Sequence, residues 1–82
     1  AVEKERANIL ISIRENDEIW MDQRQIDRRA VRANVERMYA ENPEGSVIIL
    51  ADENAKPGLL IEVMDQARLA GVANVSIAAE RD

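Results

Sequence analysis

The feature that most constrains the fold of this chain is a strand–helix–strand pattern in its second half. Residues 46–51 form a run of apolar, mostly β-branched residues without polar alternation, the pattern of a central strand covered on both faces. Asp52-Glu53-Asn54 follows, and a helix is expected from about residue 57 to residue 70. Pro57 suits its first turn, where the missing N–H costs nothing. Leu60, Val63, Met64 and Ala67 make one apolar stripe, and Gly71 supplies the C-terminal stop. Residues 74–79 form a last strand, with Val75 and Ile77 on one face and Ser76 and Ala78 on the other. Two strands joined through a helix pair parallel, with a right-handed crossover.

The first half reads as a hairpin followed by a helix. Ile9, Ile11 and Ile13 alternate with Leu10, Ser12 and Arg14, the period of a half-buried strand. Glu15-Asn16-Asp17-Glu18 supplies turn formers, and Ile19-Trp20-Met21 resumes a short antiparallel strand with Trp20 on its exposed face. Residues 22–25 are a second polar break. Asp27 is placed as an N-cap, its carboxylate accepting from free backbone N–H groups, and Ile26 with Val31 as a hydrophobic staple around it. The helix runs to about Glu41 on a stripe of Val31, Val35, Met38 and Tyr39, and Asn42-Pro43-Glu44-Gly45 ends it. The order β-β-α-β-α-β predicts a two-layer α+β fold, two helices packed on one face of a mixed four-stranded sheet. The far face then lacks helices, and a second subunit is the obvious cover. The last strand is the expected sheet edge, open to a strand from a partner.

Eighty-two residues make one domain, and with one Trp, one Tyr and no Phe its core must be built from Ile, Val, Leu, Ala and Met. The formal net charge of −5 argues against nucleic acid and anionic lipid as partners. Without Cys or His, disulfides, thiolate chemistry and the commonest proton-transfer and metal-binding side chain are all excluded. The apolar runs, of which Val47-Ile48-Ile49-Leu50-Ala51 is among the longest, fall short of the roughly 20 residues of a membrane span. The three glycines, 45, 58 and 71, are too far apart for a phosphate loop. Ser12 and Ser76 fall inside predicted strands with no His to activate them. No catalytic, cofactor or metal site is expected. The best single polar candidate is Asp52, beside Glu53, beyond the carboxyl end of a parallel strand where open α/β sheets bind ligands. The plainer reading, that Asp52 and Asn54 satisfy turn or helix-start N–H groups, is preferred. Arg24, Arg28, Arg29 and Arg32 read as an acidic-partner site or, preferably, as a solvated face with Arg32 and Glu36 paired.

The apolar strand ending in Ala51-Asp52, the helix segment Gly58-Leu59-Leu60-Ile61-Glu62-Val63-Met64-Asp65, then Ala70-Gly71-Val72 and Val75-Ser76-Ile77 together resemble the ExbD/TolR family. The hairpin over residues 11–21, the helix over residues 27–39 and Asn42-Pro43 extend the resemblance to about residues 9–80. Val63-Met64-Asp65 looks closer to ExbD than to TolR. Two departures affect local turns: Asp22-Gln23 stands where the family often has Asn-Gly, and Pro57 where an aromatic commonly precedes the glycine.

The resemblance implies the periplasmic domain (residues 9–82) of a single-pass bacterial inner-membrane protein. Residues 1–8 would be a linker from a transmembrane helix outside this chain, through which an ExbB/TolQ-like membrane protein is engaged. It implies a homodimer that couples proton-motive force to a TonB/TolA-like periplasmic protein, with peptidoglycan as the further partner of TolR-like members. The expectation is a non-enzymatic coupling domain of the ExbB–ExbD–TonB type. The alternative is a TolR-type domain of the Tol-Pal system binding peptidoglycan or TolA. Val75, Ile77 and Asp52 are the expected partner-binding residues. A third possibility, an enzymatic or ligand-binding α/β domain using Asp52 and Glu53, requires a deep pocket at that strand end.

Overall fold

A computed structural model describes residues 8–80 of the chain; the expected linker (all but Asn8) and the final Arg81-Asp82 lie outside the described residues. The elements in chain order are β1 (Ile9–Ile13), β2 (Ile19–Met21), β3 (Arg24–Ile26), a 3-10 turn (Arg28–Ala30), α1 (Val31–Glu41), β4 (Val47–Asp52), α2 (Pro57–Leu69) and β5 (Val75–Glu80). They form one mixed sheet in the order β3-β2-β1-β4-β5. β1 pairs antiparallel with β2, and β2 with β3, while β1, β4 and β5 run parallel.

The sheet has five strands, not four. The extra strand, β3, follows a two-residue turn in which Asp22 and Gln23 both have positive φ, 53° and 66°. That geometry matches the right-handed twist of a hairpin, and it brings Arg24 opposite Met21 and Ile26 opposite Ile19. Arg24-Gln25-Ile26 shows no apolar alternation because Arg24 and Ile26 share the helix-side face but only Ile26 is apolar and half-buried. Asp27 caps the 3-10 turn and not α1, a correction to the expected helix start: it accepts from the Arg29 N–H at 2.8 Å, while α1 begins at Val31 with no side-chain cap at Ala30. At its end the Asn42 N–H is shared between the Met38 and Tyr39 carbonyls. Gly71, at φ 102°, takes the left-handed position just past α2 that other residues adopt only at a cost.

Register decides what is buried. Ile9, Ile11, Ile13, Ile19, Met21, Val47, Ile49 and Ala51 share one face and are all buried, in a core that also holds Val31 and Val35 of α1 and Val63 and Ala67 of α2. Helix α1 lies against β1, α2 against β4 and β5, and the helices against each other. β4 is therefore covered on one face only, a correction to the expectation from its unbroken apolar run: Ile48 and Leu50 are half-buried on the open face. Leu10 beside them is 48% exposed. Trp20 lies on the same open face, its indole N–H donating to Glu18 at 3.0 Å and the Arg14 guanidinium 4.3 Å above its ring.

Candidate functional site

The two edges of the sheet differ in what they offer a partner. In a parallel ladder each residue alternately turns its backbone groups to one neighbour and then the other. The Val47 N–H donates to the Asn74 carbonyl at 2.9 Å, and Val47 stands opposite Val75. Residues 74, 76 and 78 consequently face β4, and Val75, Ile77 and Ala79 direct their N–H and C=O groups outward. No described strand pairs with that side. From Val75 to Ala79 the edge carries no charge. At the opposite edge β3 is three residues long and, by antiparallel alternation, turns only Gln25 outward, between Arg24 and Asp27. A short, charged edge discourages pairing and a long uncharged one invites it.

The side chains of Val75 and Ile77 point to the helix side. Val75 is packed against the core and half-buried, while Ile77 is 45% exposed. On the flanking helix α2, Leu60 and Met64 are partly buried and Ile61 is 58% exposed. Val75 and Ile77 thus meet on one edge, with backbone groups and apolar side chains both available there. Asp52 does not join them. It ends the neighbouring strand, and strand alternation turns its side chain to the open face. Its carboxylate accepts from the Asn54 N–H at 2.8 Å while its carbonyl accepts from Ala55, so it closes the β4–α2 turn.

A cleft of about 700 Å³ does open at the carboxyl end of β1, but neither Asp52 nor Glu53 lines it. Ile19, Ile26 and Leu59 are among its lining residues, and the cations around it are matched by carboxylates: Arg28–Glu62 at 3.8 Å, Arg29–Asp27 at 3.6 Å and Lys56–Asp17 at 3.6 Å. With Arg32–Glu36 at 3.2 Å, three of the four clustered arginines, Arg28, Arg29 and Arg32, form exposed ion pairs. The Arg29 backbone N–H holds the Asp27 carboxyl below its ordinary range, and the Arg29 and Arg28 charges act in the same direction. Among the described residues no group of three or more carboxylates is arranged to hold a metal ion, and no helix is long and apolar enough to cross a membrane.

One contact was not visible in the sequence. The Gln66 amide of α2 donates to the Arg28 carbonyl at 2.6 Å and accepts from the Arg32 N–H at 2.9 Å, clasping α2 to the start of α1. Gln66 lies between the apolar stripe positions, and its partners are 34 and 38 residues away.

A family model described as "Biopolymer transport protein ExbD/TolR" matches residues 1–82. The "Biopolymer transport protein exbD2" of Vibrio cholerae serotype O1 (strain ATCC 39315 / El Tor Inaba N16961) is 38% identical over 81 residues, 99% of this chain. The chain spans 60% of that relative's length. With the α+β fold and an unbroken match along the sequence, the chain belongs to the ExbD/TolR family of biopolymer transport proteins.

Proposed function

We propose that this chain is the periplasmic coupling domain of a transport complex of the ExbB–ExbD–TonB type, and that it engages an extended segment of a TonB-like protein at the β5 edge. The observation that carries this reading is the uncharged edge with Val75, Ile77 and Ala79 turned outward. A visiting strand gains main-chain hydrogen bonds there, and Ile77 beside it offers apolar contact. The 38% identity to a protein named exbD2 favours the ExbD type over the TolR type. Residues 1–8 serve as the linker from a membrane helix in the further length that the relative has, where an ExbB-like protein binds. Residues 9–82 are the domain. A second copy covers the open sheet face around Leu10, Ile48 and Leu50. Asp52, on that face, belongs with the second copy or with the turn rather than with the visiting strand.

The edge is tested by proline. The Ile77 N–H points away from β4, so Ile77→Pro removes an outward donor while leaving the β4–β5 ladder its bonds; edge strands accept proline in that position. Ser76→Pro removes a donor inside the ladder. Ile77→Pro is expected to remain folded by circular dichroism and to lose crosslinking to the TonB-like protein, whereas Ser76→Pro is expected to destabilise the fold. Undiminished crosslinking of folded Ile77→Pro would sink the edge as the docking site. Co-sedimentation with purified sacculi would point instead to the TolR-type reading.

A further inference from the structure

We propose that the sheet is a tension-carrying element, with force entering at β1 and leaving through β5. The assignment of β5 as the exit rests on the partner docking at its edge; the mechanical claim rests on topology alone. β1, β4 and β5 are adjacent and run in the same direction. The chain enters β1 at the amino ends of these strands and leaves β5 at their carboxyl ends, at opposite ends of the sheet. A pull between the two ends of the chain therefore acts along the strands. It slides β1 against β4 over five paired positions, Ile9↔Val47 to Ile13↔Ala51. It slides β4 against β5 over six, Val47↔Val75 to Asp52↔Glu80. In sliding, the hydrogen bonds of an interface are strained together and must fail together. The buried row Ile9, Ile11, Ile13, Val47 and Ile49 must leave the core in the same event.

A pull across the strands meets much less. The amino ends of β1 and β4 are held side by side by the Ile9 N–H to the Ser46 carbonyl at 2.8 Å and by the Asn8 amide oxygen accepting from the Ser46 hydroxyl at 3.1 Å. Force applied between the start of the chain and residue 44 opens this pair first, then the next, one bond at a time. The same geometry extends to a strand docked outside β5: its bonds to Val75, Ile77 and Ala79 are sheared together when it is drawn toward the carboxyl end of β5.

The chain has no cysteine, so unique thiol handles can be introduced for optical-tweezer pulling. One form carries handles at the two chain ends. The other carries one at the amino end and one at Glu44→Cys, an exposed loop position. Both are first checked for an unchanged thermal midpoint. Forced unfolding reads the barrier along the pulled direction. The end-to-end form is expected to rupture at about twice the force of the amino-end/Glu44 form, or more, at the same loading rate. Equal forces, or earlier failure end to end, overturn the proposal. Neither result bears on whether Ile77→Pro blocks partner crosslinking, so a failure of the edge reading is told apart from a failure of this one.

Discussion

The Asp22-Gln23 turn places two side-chain-bearing residues at positive φ. Aspartate tolerates that region because its short side chain bonds locally, whereas glutamine at 66° bears a strain of about 1–2 kcal/mol. Gln23→Gly relieves it, and the greater freedom of glycine in the unfolded chain offsets part of the gain. A net stabilisation of about 0.5–1 kcal/mol is expected, raising the thermal midpoint by several degrees in a domain of this size; calorimetry checks it, and a lowered midpoint would contradict the strain. Asp27 acts through ionisation. Its folded-state pKa is depressed below the ordinary 3.8 because the ionised carboxylate accepts from the Arg29 N–H. The stabilisation is therefore fully present above the unfolded value and is lost as pH falls through the folded one. Asp27→Asn keeps an acceptor but does not titrate. Its unfolding free energy should fall less steeply than the wild type's between about pH 5 and pH 2, measured by urea titration.

Elements were legible in the sequence where the apolar pattern is periodic. α1, α2, β1 and β5 each carry a stripe or alternation, and Asp27, Pro57 and Gly71 punctuate them for reasons local to the backbone. β3 was not legible, because its turn lacks glycine and asparagine and only one of its three residues enters the core. The one-sided cover of β4 was hidden too: Ile48 and Leu50 are apolar on the face without helices, so the strand reads as doubly buried. Val75 and Ile77 could be placed on one side of the last strand by alternation alone, but that their backbones face outward required the register with Val47. The Gln66 clasp depends on how two helices meet and has no local signature. Gln66→Leu removes both of its bonds, leaving the Arg28 carbonyl and Arg32 N–H to solvent, since the site is exposed. A loss of about 0.5–1.5 kcal/mol is expected in urea denaturation. Unchanged stability would show that water replaces the clasp without cost.

At the scale of the whole molecule the sheet has one filled face and one open face, and neighbouring residues on one strand report on them separately. Ile11 is 0% exposed at the middle of the core, and Leu10 is 48% exposed on the other face. Fully burying such a side chain stabilises a domain by about 1.5–3 kcal/mol. A carboxylate placed there without a partner costs several more. Against the roughly 4–12 kcal/mol that a chain of this length has in total, Ile11→Asp is expected to leave it unfolded by circular dichroism. Leu10→Asp places the same carboxylate in water, and its effect on the isolated fold should stay within about 0.5–1 kcal/mol. If a second copy covers the open face as proposed, Leu10→Asp instead sets two carboxylates at a dry interface, and sedimentation equilibrium should show the dimer replaced by a folded monomer. A Leu10→Asp chain that remains dimeric would move the contact between copies off this face, to the β5 edge or to the helices.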